Sequence, residues 1–430
     1  MRAPRIRRSA PAPETIPPLS MKGNMLWNSV GSLTYLACQW LVTVLVVRLS
    51  SGGYDAAGLL ALAMSVVGLF GTLANYKMGT YQISDVNREN DLSEYLGFRI
   101  VMLAASFVLC MVYASATCSW YALPTVALFY CFKAVGLVID VLHGTDQQHR
   151  RLDYAGMSFI LQGVSTLAAF SAVFYLTQNL DLAIVAMGVA AFSVLVFWDI
   201  PRTSRFEPVR IRFTGDKMLF FLKTSFPATL AALAAGSLFV VPKQMLSYLS
   251  GDAALGVYSS VAALALVVQM GANYLYGPLL DVFPALYFGG KRARFLKLFA
   301  RTALGIVGVA AVCSVALALA GAWLLEFLFG ESILPYVYLL QPILAATLAT
   351  AFLWFFGDLL IALRDFRGNL IGNLVAFASV AAFSYPFVRI WDMNGVSFAG
   401  MAACALGAGV LLLFIVRKLR KFPAGSEEGR

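Results

Sequence analysis

What constrains this chain most is a succession of about twelve apolar runs, each close to 20 residues long, separated by short polar segments. A helix rises about 1.5 Å per residue, so a run of about 20 residues is long enough to cross a hydrocarbon core of about 30 Å. The expected spans lie near 25–47, 57–76, 98–117, 120–142, 156–176, 181–200, 219–241, 254–276, 298–320, 336–362, 369–389 and 396–416. Composition points the same way. Only 13% of the residues are charged and 60% are hydrophobic, whereas an ordinary soluble domain carries about 25% charged residues. The chain is expected to be an all-α, polytopic membrane protein.

Two stretches of the sequence match each other. Val47 to Tyr76 contains Asp55-Ala56-Ala57-Gly58 and closes on Ala74-Asn75-Tyr76; Met245 to Tyr274 contains Asp252-Ala253-Ala254-Leu255-Gly256 and closes on Ala272-Asn273-Tyr274. The spacing from glycine to Ala-Asn-Tyr is the same in both, and the apolar profile between them is shared. An internal repeat organises the chain. Six spans precede the polar segment Pro201 to Lys217 and six come after it. An even number gives both halves the same orientation, so the expected architecture is two six-helix lobes related by a parallel repeat about an axis along the membrane normal. The expected organisation is a disordered tail over 1–20, an N-lobe over 21–200, a linker over 201–217, a C-lobe over 218–421 and a tail over 422–430. Met21-Lys22-Gly23-Asn24 would be a natural N-terminus for the first span, as would Met1 with its Arg- and Pro-rich tail.

Lys and Arg are distributed unevenly about these spans. With a cytoplasmic N-terminus, the cytoplasmic segments hold Arg2 to Arg8, Lys22, Lys77, Arg99, Arg150, Arg151, Arg202 to Lys223, Lys291 to Arg301, Arg364, Arg367 and Arg417 to Lys421. The opposite side holds Arg48, Lys243 and Arg389, and Lys133 lies inside a span. This asymmetry places both termini in the cytoplasm. Basic loops facing anionic lipid account for the net charge of +10 without a nucleic-acid partner. The connector from Lys77 to Gly97 reads as an amphipathic segment lying on the membrane surface, with Arg99 and, in the second half, Arg301 anchoring headgroups.

Polar groups within a span must face protein or water. Gln39 shares a face of the first span with Asn28, Ser32 and Tyr35, either as interhelical hydrogen-bonding groups or as ligand contacts. Lys133 and Asp140 lie two turns apart on one face of the fourth span, too far for an ion pair but able to face one cavity. Arg48 and Lys243 end the first and seventh spans at equivalent places in the repeat. They suit an anionic ligand on the axis, or else anchor helix ends at the interface. His143 and His149 fall on one short cytoplasmic loop, and the six cysteines read as small core residues. No metal-protease, Walker or nucleophile-elbow motif is present, so neither an enzyme nor a cofactor is expected.

Several segments carry a family likeness. Lys22 to Gly31, Arg48-Leu49-Ser50 with Tyr54 and Gly58 after it, and Ser225-Phe226-Pro227 before Asp252 to Tyr258 resemble the polysaccharide flippases of the multidrug, oligosaccharidyl-lipid and polysaccharide exporter superfamily. Gly330 to Tyr336, Ala362 to Asn369 and Asp392 to Gly400 resemble that family's last three helices and their connections. The likeness covers nearly all of Met21 to Lys421. It implies alternating-access flipping of an undecaprenyl-pyrophosphate-linked oligosaccharide across the bacterial inner membrane for surface polysaccharides such as O-antigen or exopolysaccharide, with a glycan polymerase and glycosyltransferases as working partners. On that reading Arg48, Lys133 and Lys243 contact pyrophosphate or acidic sugar. Gln39, Asn75, Gln269 and Asn273 supply cavity hydrogen bonds, and Asp140 and Asp358 serve as coupling or gating groups. A drug/cation antiporter, a membrane glycan polymerase or ligase, and a non-transporting scaffold are the rival readings.

Overall fold

A computed structural model describes residues 17–85, 90–276, 279–280 and 282–420, without the side chains of 80, 84, 227, 228, 231 and 266–276. Residues 1–16 of the expected N-terminal tail and the whole of the expected C-terminal tail lie outside the described residues. The first lobe comprises α1 (Met21–Leu49), α2 (Asp55–Asn75), the short α3 (Met78–Ser84), α4 (Leu92–Thr117), α5 (Leu123–Gln148), α6 (Leu152–Thr177) and α7 (Leu180–Val194). A π turn, Leu195–Asp199, continues α7 into α8 (Ile200–Thr203). The second lobe comprises α9 (Gly215–Tyr276), the short α10 (Val282–Phe288), α11 (Arg292–Phe329), α12 (Leu340–Ala362), α13 (Phe366–Trp391) and α14 (Met393–Arg420).

Ten of these helical segments are long and apolar enough to cross a membrane. Helix α9 consists of two arms, because its backbone leaves helical geometry at Gly251 (φ 84°, ψ 169°), a conformation open to glycine and costly for other residues. The expected spans near 219–241 and 254–276 are thus the two arms of one bent stretch. The order of elements repeats: α1, α2 and the seven-residue α3 correspond to the two arms of α9 and the seven-residue α10. Packing repeats with it. Helix α1 lies on α6 as the first arm of α9 lies on α13, and α5 and α6 flank α7 as α12 and α13 flank α14.

Local sequence fixes the helix ends. Ser20 accepts from the Gly23 amide, Asp91 and Glu94 form a reciprocal capping box, and Asn179 and Asp365 cap α7 and α13. Each satisfies amides that the first helical turn leaves without partners. Within the N-lobe, Gly31 meets Gly156 so closely that a β-carbon on either would strike backbone. Small residues of this kind let membrane helices approach, since lipid supplies no hydrophobic drive between them.

The lobes meet through the two copies of the repeat. A β-carbon on Gly58 would sit on the Asp252 carbonyl, and one on Gly256 would sit on the Tyr54 carbonyl. Each glycine therefore receives the start of the other copy's helix. Nearby, the Trp40 indole donates to the Ala263 carbonyl at 3.2 Å, and the Tyr54 and Ser332 hydroxyls lie 3.3 Å apart. Leu60, Ala63, Val66 and Val67 of α2 share one buried core with Leu255, Tyr258 and Val261 of α9.

The connector differs from expectation. Helix α4 already starts at Leu92, and Tyr95, Leu96 and Phe98 are buried with Tyr76, Met78 and Phe221 rather than lying along a membrane surface. The cause is the first residues of α9, whose Phe221 packs on Tyr95 and Phe98 at centroid separations of 5.5 and 5.4 Å.

Gly58→Ala and Gly256→Ala are expected to lower stability by about 1–3 kcal/mol each, because the obstructing atom is backbone and cannot rotate away. Gly71→Ala, at a position with open space, is expected to be neutral or slightly stabilising. Thermal unfolding of the three purified variants checks the contrast.

Candidate functional site

Toward the end of the bundle where α1 begins and α14 ends, both lobes are hollow. A cavity of about 340 Å³ is lined by Gly68, Gly71, Thr72, Asn75, Lys77 and Lys133. A second, of about 210 Å³, is lined by Tyr35, Asn75, Lys133, Asp140, His143 and Gln162 among others. Shared Asn75, Lys133 and Leu137 make them two parts of one N-lobe wall. A third, of about 570 Å³, runs from Lys77 to the C-lobe residues Trp354, Asp358, Arg367, Asn369 and Asn373.

Helix α5 builds the charged part of this wall. Pro124 opens the helix without losing a needed donor, and the next turns place Lys133, Leu137, Asp140 and His143 along one face. The Lys133 ammonium lies 5.9 and 5.8 Å from the ring centres of Phe129 and Phe132, within reach of a cation–π attraction. It has no ion-pair partner among the described residues. A half-buried cation without a counterion beside an open volume can bind an anion.

Asp140 is occupied differently. Arg99, 1% exposed, donates to the Ala74 carbonyl at 3.1 Å and to Asn75 Oδ1 at 3.0 Å, and reaches Asp140 at 3.5 Å. Arg99 is thus a core residue, not the headgroup anchor expected of it. The reason lies in the end of α2: Tyr76 is left-handed (φ 51°), which leaves the last carbonyls and Asn75 open toward α4. A buried guanidinium with five donors satisfies several of them at once. Arg301, its expected counterpart, is exposed.

At the opposite end of the bundle, Lys243 lines a cavity of about 260 Å³ with Thr43, Ser65, Ser259 and Ser260. Arg48 does not join it. Its guanidinium donates to the carbonyls of Glu326, Phe327 and Leu328, capping the last turn of α11 in the other lobe. The two cations are therefore placed apart. Gln39 donates to the Thr166 hydroxyl at 3.3 Å and ties α1 to α6. Asp358 lines the large C-lobe cavity near Asn373, which donates to Asn369. The side chains of Gln269 and Asn273 lie outside the described residues.

Sequence reading missed one cluster. His143 is not on a loop: α5 continues to Gln148, and His143 is 6% exposed, with Nε2 3.2 Å from Asp199 Oδ1. Ser158 donates to Asp199 Oδ2 at 3.0 Å, Gln162 donates to Ser158 at 2.9 Å, and Thr203 donates to buried Asp146 at 3.1 Å. The usable signal was His143 lying on the Lys133–Asp140 face, three residues beyond Asp140.

Known proteins share this architecture. Residues 24–285 match the profile of a family described as polysaccharide biosynthesis protein. The capsular polysaccharide biosynthesis protein CapF of Staphylococcus aureus is 22% identical over 395 residues, covering 88% of this chain and 94% of CapF. An inward-facing multidrug resistance MATE family transporter of the MOP superfamily superposes with a TM-score of 0.73 at 12% identity, covering 94% of this chain and 99% of that one. The lipid II flippase MurJ, in an inward closed conformation, superposes with a TM-score of 0.70 at 11% identity, over 93% of this chain and 90% of MurJ. The two-lobe helical fold is common to these structures.

Because Arg99 is buried and Asp140 half-buried, loss of Arg99 leaves Asp140, the Ala74 carbonyl and Asn75 without their donor, whereas loss of the Asp140 charge leaves Arg99 its other two acceptors. Arg99→Met is expected to destabilise by about 3–5 kcal/mol, and Asp140→Asn by less, since Ala74 and Asn75 still accept from Arg99. In a double-mutant cycle read by thermal or denaturant unfolding, the double variant is expected to lose less than the sum of the two.

Proposed function

Since the chain belongs to the polysaccharide biosynthesis protein family, we propose that it carries a polyprenyl-pyrophosphate-linked oligosaccharide across the cytoplasmic membrane by alternating access. The observation that carries this reading is Lys133, a cation without an ion-pair partner among the described residues on the wall of an N-lobe cavity. A pyrophosphate headgroup needs such a cation together with amide donors, which Asn75 supplies beside it. The sugar occupies the larger C-lobe hollow, where Asp358, Asn369 and Asn373 offer hydrogen bonds. The polyprenyl tail stays in the bilayer.

With both termini cytoplasmic, the glycine crossing of α2 and α9 closes the outer side and the Lys133 cavity is loaded from the inner leaflet. Lys243 then serves as the second cationic station once the headgroup has moved outward, because its cavity lies on the far side of the lobes. Arg48 holds the closed state through the α11 carbonyls and becomes available to an anionic headgroup only on leaving them. Gln269 and Asn273 act as cavity hydrogen-bonding groups on the C-lobe side, Asn273 in the place Asn75 holds in the N-lobe. Asp140 and Asp358 act as gating groups at the inner ends of their helices. The route ends in surface polysaccharide assembly, where polymerases and glycosyltransferases make and consume the lipid-linked sugar.

A leaflet-accessibility assay in proteoliposomes tests the proposal. Wild-type protein is expected to move lipid-linked oligosaccharide between leaflets. Lys133→Gln should slow this by at least about tenfold, equivalent to about 1.4 kcal/mol, while Lys133→Arg keeps most of the rate. No movement of any such lipid by wild-type protein, with and without ion gradients, would sink the reading.

A further inference from the structure

We propose that the His143, Asp146 and Asp199 cluster is a proton-binding site whose occupancy is linked to that of the anion-binding cavity beside it. The linkage rests on the headgroup reading of Lys133; the proton site stands on its own geometry. Its charge balance is unusual. Asp146 and Asp199 are 1% and 2% exposed, and neither has a Lys or Arg ion-pair partner among the described residues. Two buried carboxylates without a cation are costly, and the direct remedy is a proton, which Asp199 can share with the imidazole it contacts.

Three further observations give the site its form. The second nitrogen of His143, Nδ1, is buried and has no hydrogen-bond partner among the described residues. His143 also lines the cavity of about 210 Å³ that contains Lys133, so the cluster shares a residue with the space where the anion would sit. Lastly, Asp199 ends the π turn Leu195–Asp199. One extra residue rotates everything beyond it by about 100° relative to an uninterrupted α-helix, and π turns of this kind concentrate at functional sites. Here the turn brings Asp199 onto His143 and Ser158.

The charges around His143 come from several elements. On α5 they are Lys133, Asp140 and Asp146; the π turn contributes Asp199, and α4 contributes Arg99, already held on Asp140. From the start of α6 come Asp153 and its partner Arg151 at 2.8 Å, while α1 presents the neutral Tyr35. Ser158 and Gln162 of α6 orient the carboxylate without changing charge. A proton on this cluster raises the positive potential of the wall that Lys133 shares. Anion and proton should each favour the other's binding by the same factor, because linkage is reciprocal.

Histidine NMR reads the site directly, since the chain holds only two histidines. In ¹⁵N-histidine-labelled protein in nanodiscs, His149→Gln removes one signal and so assigns the other to His143. The His143 signal is expected to change protonation state within the pH range over which the protein stays folded. Saturating inorganic pyrophosphate is expected to raise its proton affinity about fivefold, the scale of a charge interaction across 10–15 Å at intermediate dielectric. Asp199→Asn should lower that affinity, and as pH rises wild-type protein should lose pyrophosphate affinity relative to His143→Gln, whose pH dependence is that of the ligand alone. An imidazole that keeps one protonation state across the range, or one that pyrophosphate leaves unmoved, would overturn the proposal. Lys133→Gln separates the two readings: it should abolish the pyrophosphate response while leaving His143 titrating. Absence of lipid flipping by wild-type protein would count against the transport reading and leave the His143 titration intact.

Discussion

The close approach of α2 and α9 is the contact on which the rest of the molecule depends. Gly58 and Gly256 let each copy of the repeat press the start of its helix into the other copy. Two lobes joined at one end leave room toward the other, where the Lys133 and Asp358 cavities are found, and only the Lys243 cavity of about 260 Å³ remains beside the crossing. The contact is symmetric by construction, being one sequence element meeting its own repeat. It is made of backbone, so it resists gradual deformation. Arg48 adds a bond of a different kind. Charge-assisted donation to the carbonyls at the end of α11 is made here by an exposed side chain, so water competes with it, which suits a latch more than a permanent tie.

Charge within the N-lobe divides by the same logic. Arg99 is buried and hydrogen-bonded to groups that the end of α2 leaves open, so its role is to hold α2, α4 and α5 together. Lys133 has aromatic neighbours and no ion-pair partner among the described residues. Holding an unpaired ammonium in a membrane span costs free energy, and nothing in the packing of α5 requires a lysine there. Distinguishing the two cations took knowledge of their partners; burial alone would have ranked Arg99 first.

Much of this was legible in the sequence, for identifiable reasons. The apolar runs give the spans because the bilayer demands a fixed length, and the two Asp-Ala-Ala and Ala-Asn-Tyr marks give the repeat because they stand where helices begin and end. The common face of Lys133 and Asp140 follows from helical periodicity. Arg99 was misread because its partners are the carbonyl of Ala74 and the side chain of Asn75, and a carbonyl left open by a left-handed Tyr76 has no signature in residue type. His143 was misplaced for a related reason: α5 runs past the apolar stretch to Gln148, so hydropathy ends the helix too early. Arg48 and Lys243 look equivalent along the chain, yet only Arg48 has the end of another helix within reach.

The repeat also shows where its symmetry is broken. Pro124 and Asp140 of α5 have the same sixteen-residue spacing as Pro342 and Asp358 of α12. In this register the partner of Lys133 is Ala351, which is buried in the C-lobe core. The proline that opens the helix and the acid near its inner end are kept in both lobes, whereas the cation is present in one. A ligand with a single anionic group and a large neutral remainder gains from that difference, because two equivalent cations would give its charge two competing positions. On the proposed transport reading, Lys133 on the N-lobe wall would take the headgroup, and the roomier C-lobe hollow, lined by Asp358, Arg367, Asn369 and Asn373, would take the sugar. The pseudo-symmetry would then serve the motion of the lobes, and its local loss at Lys133 would serve recognition.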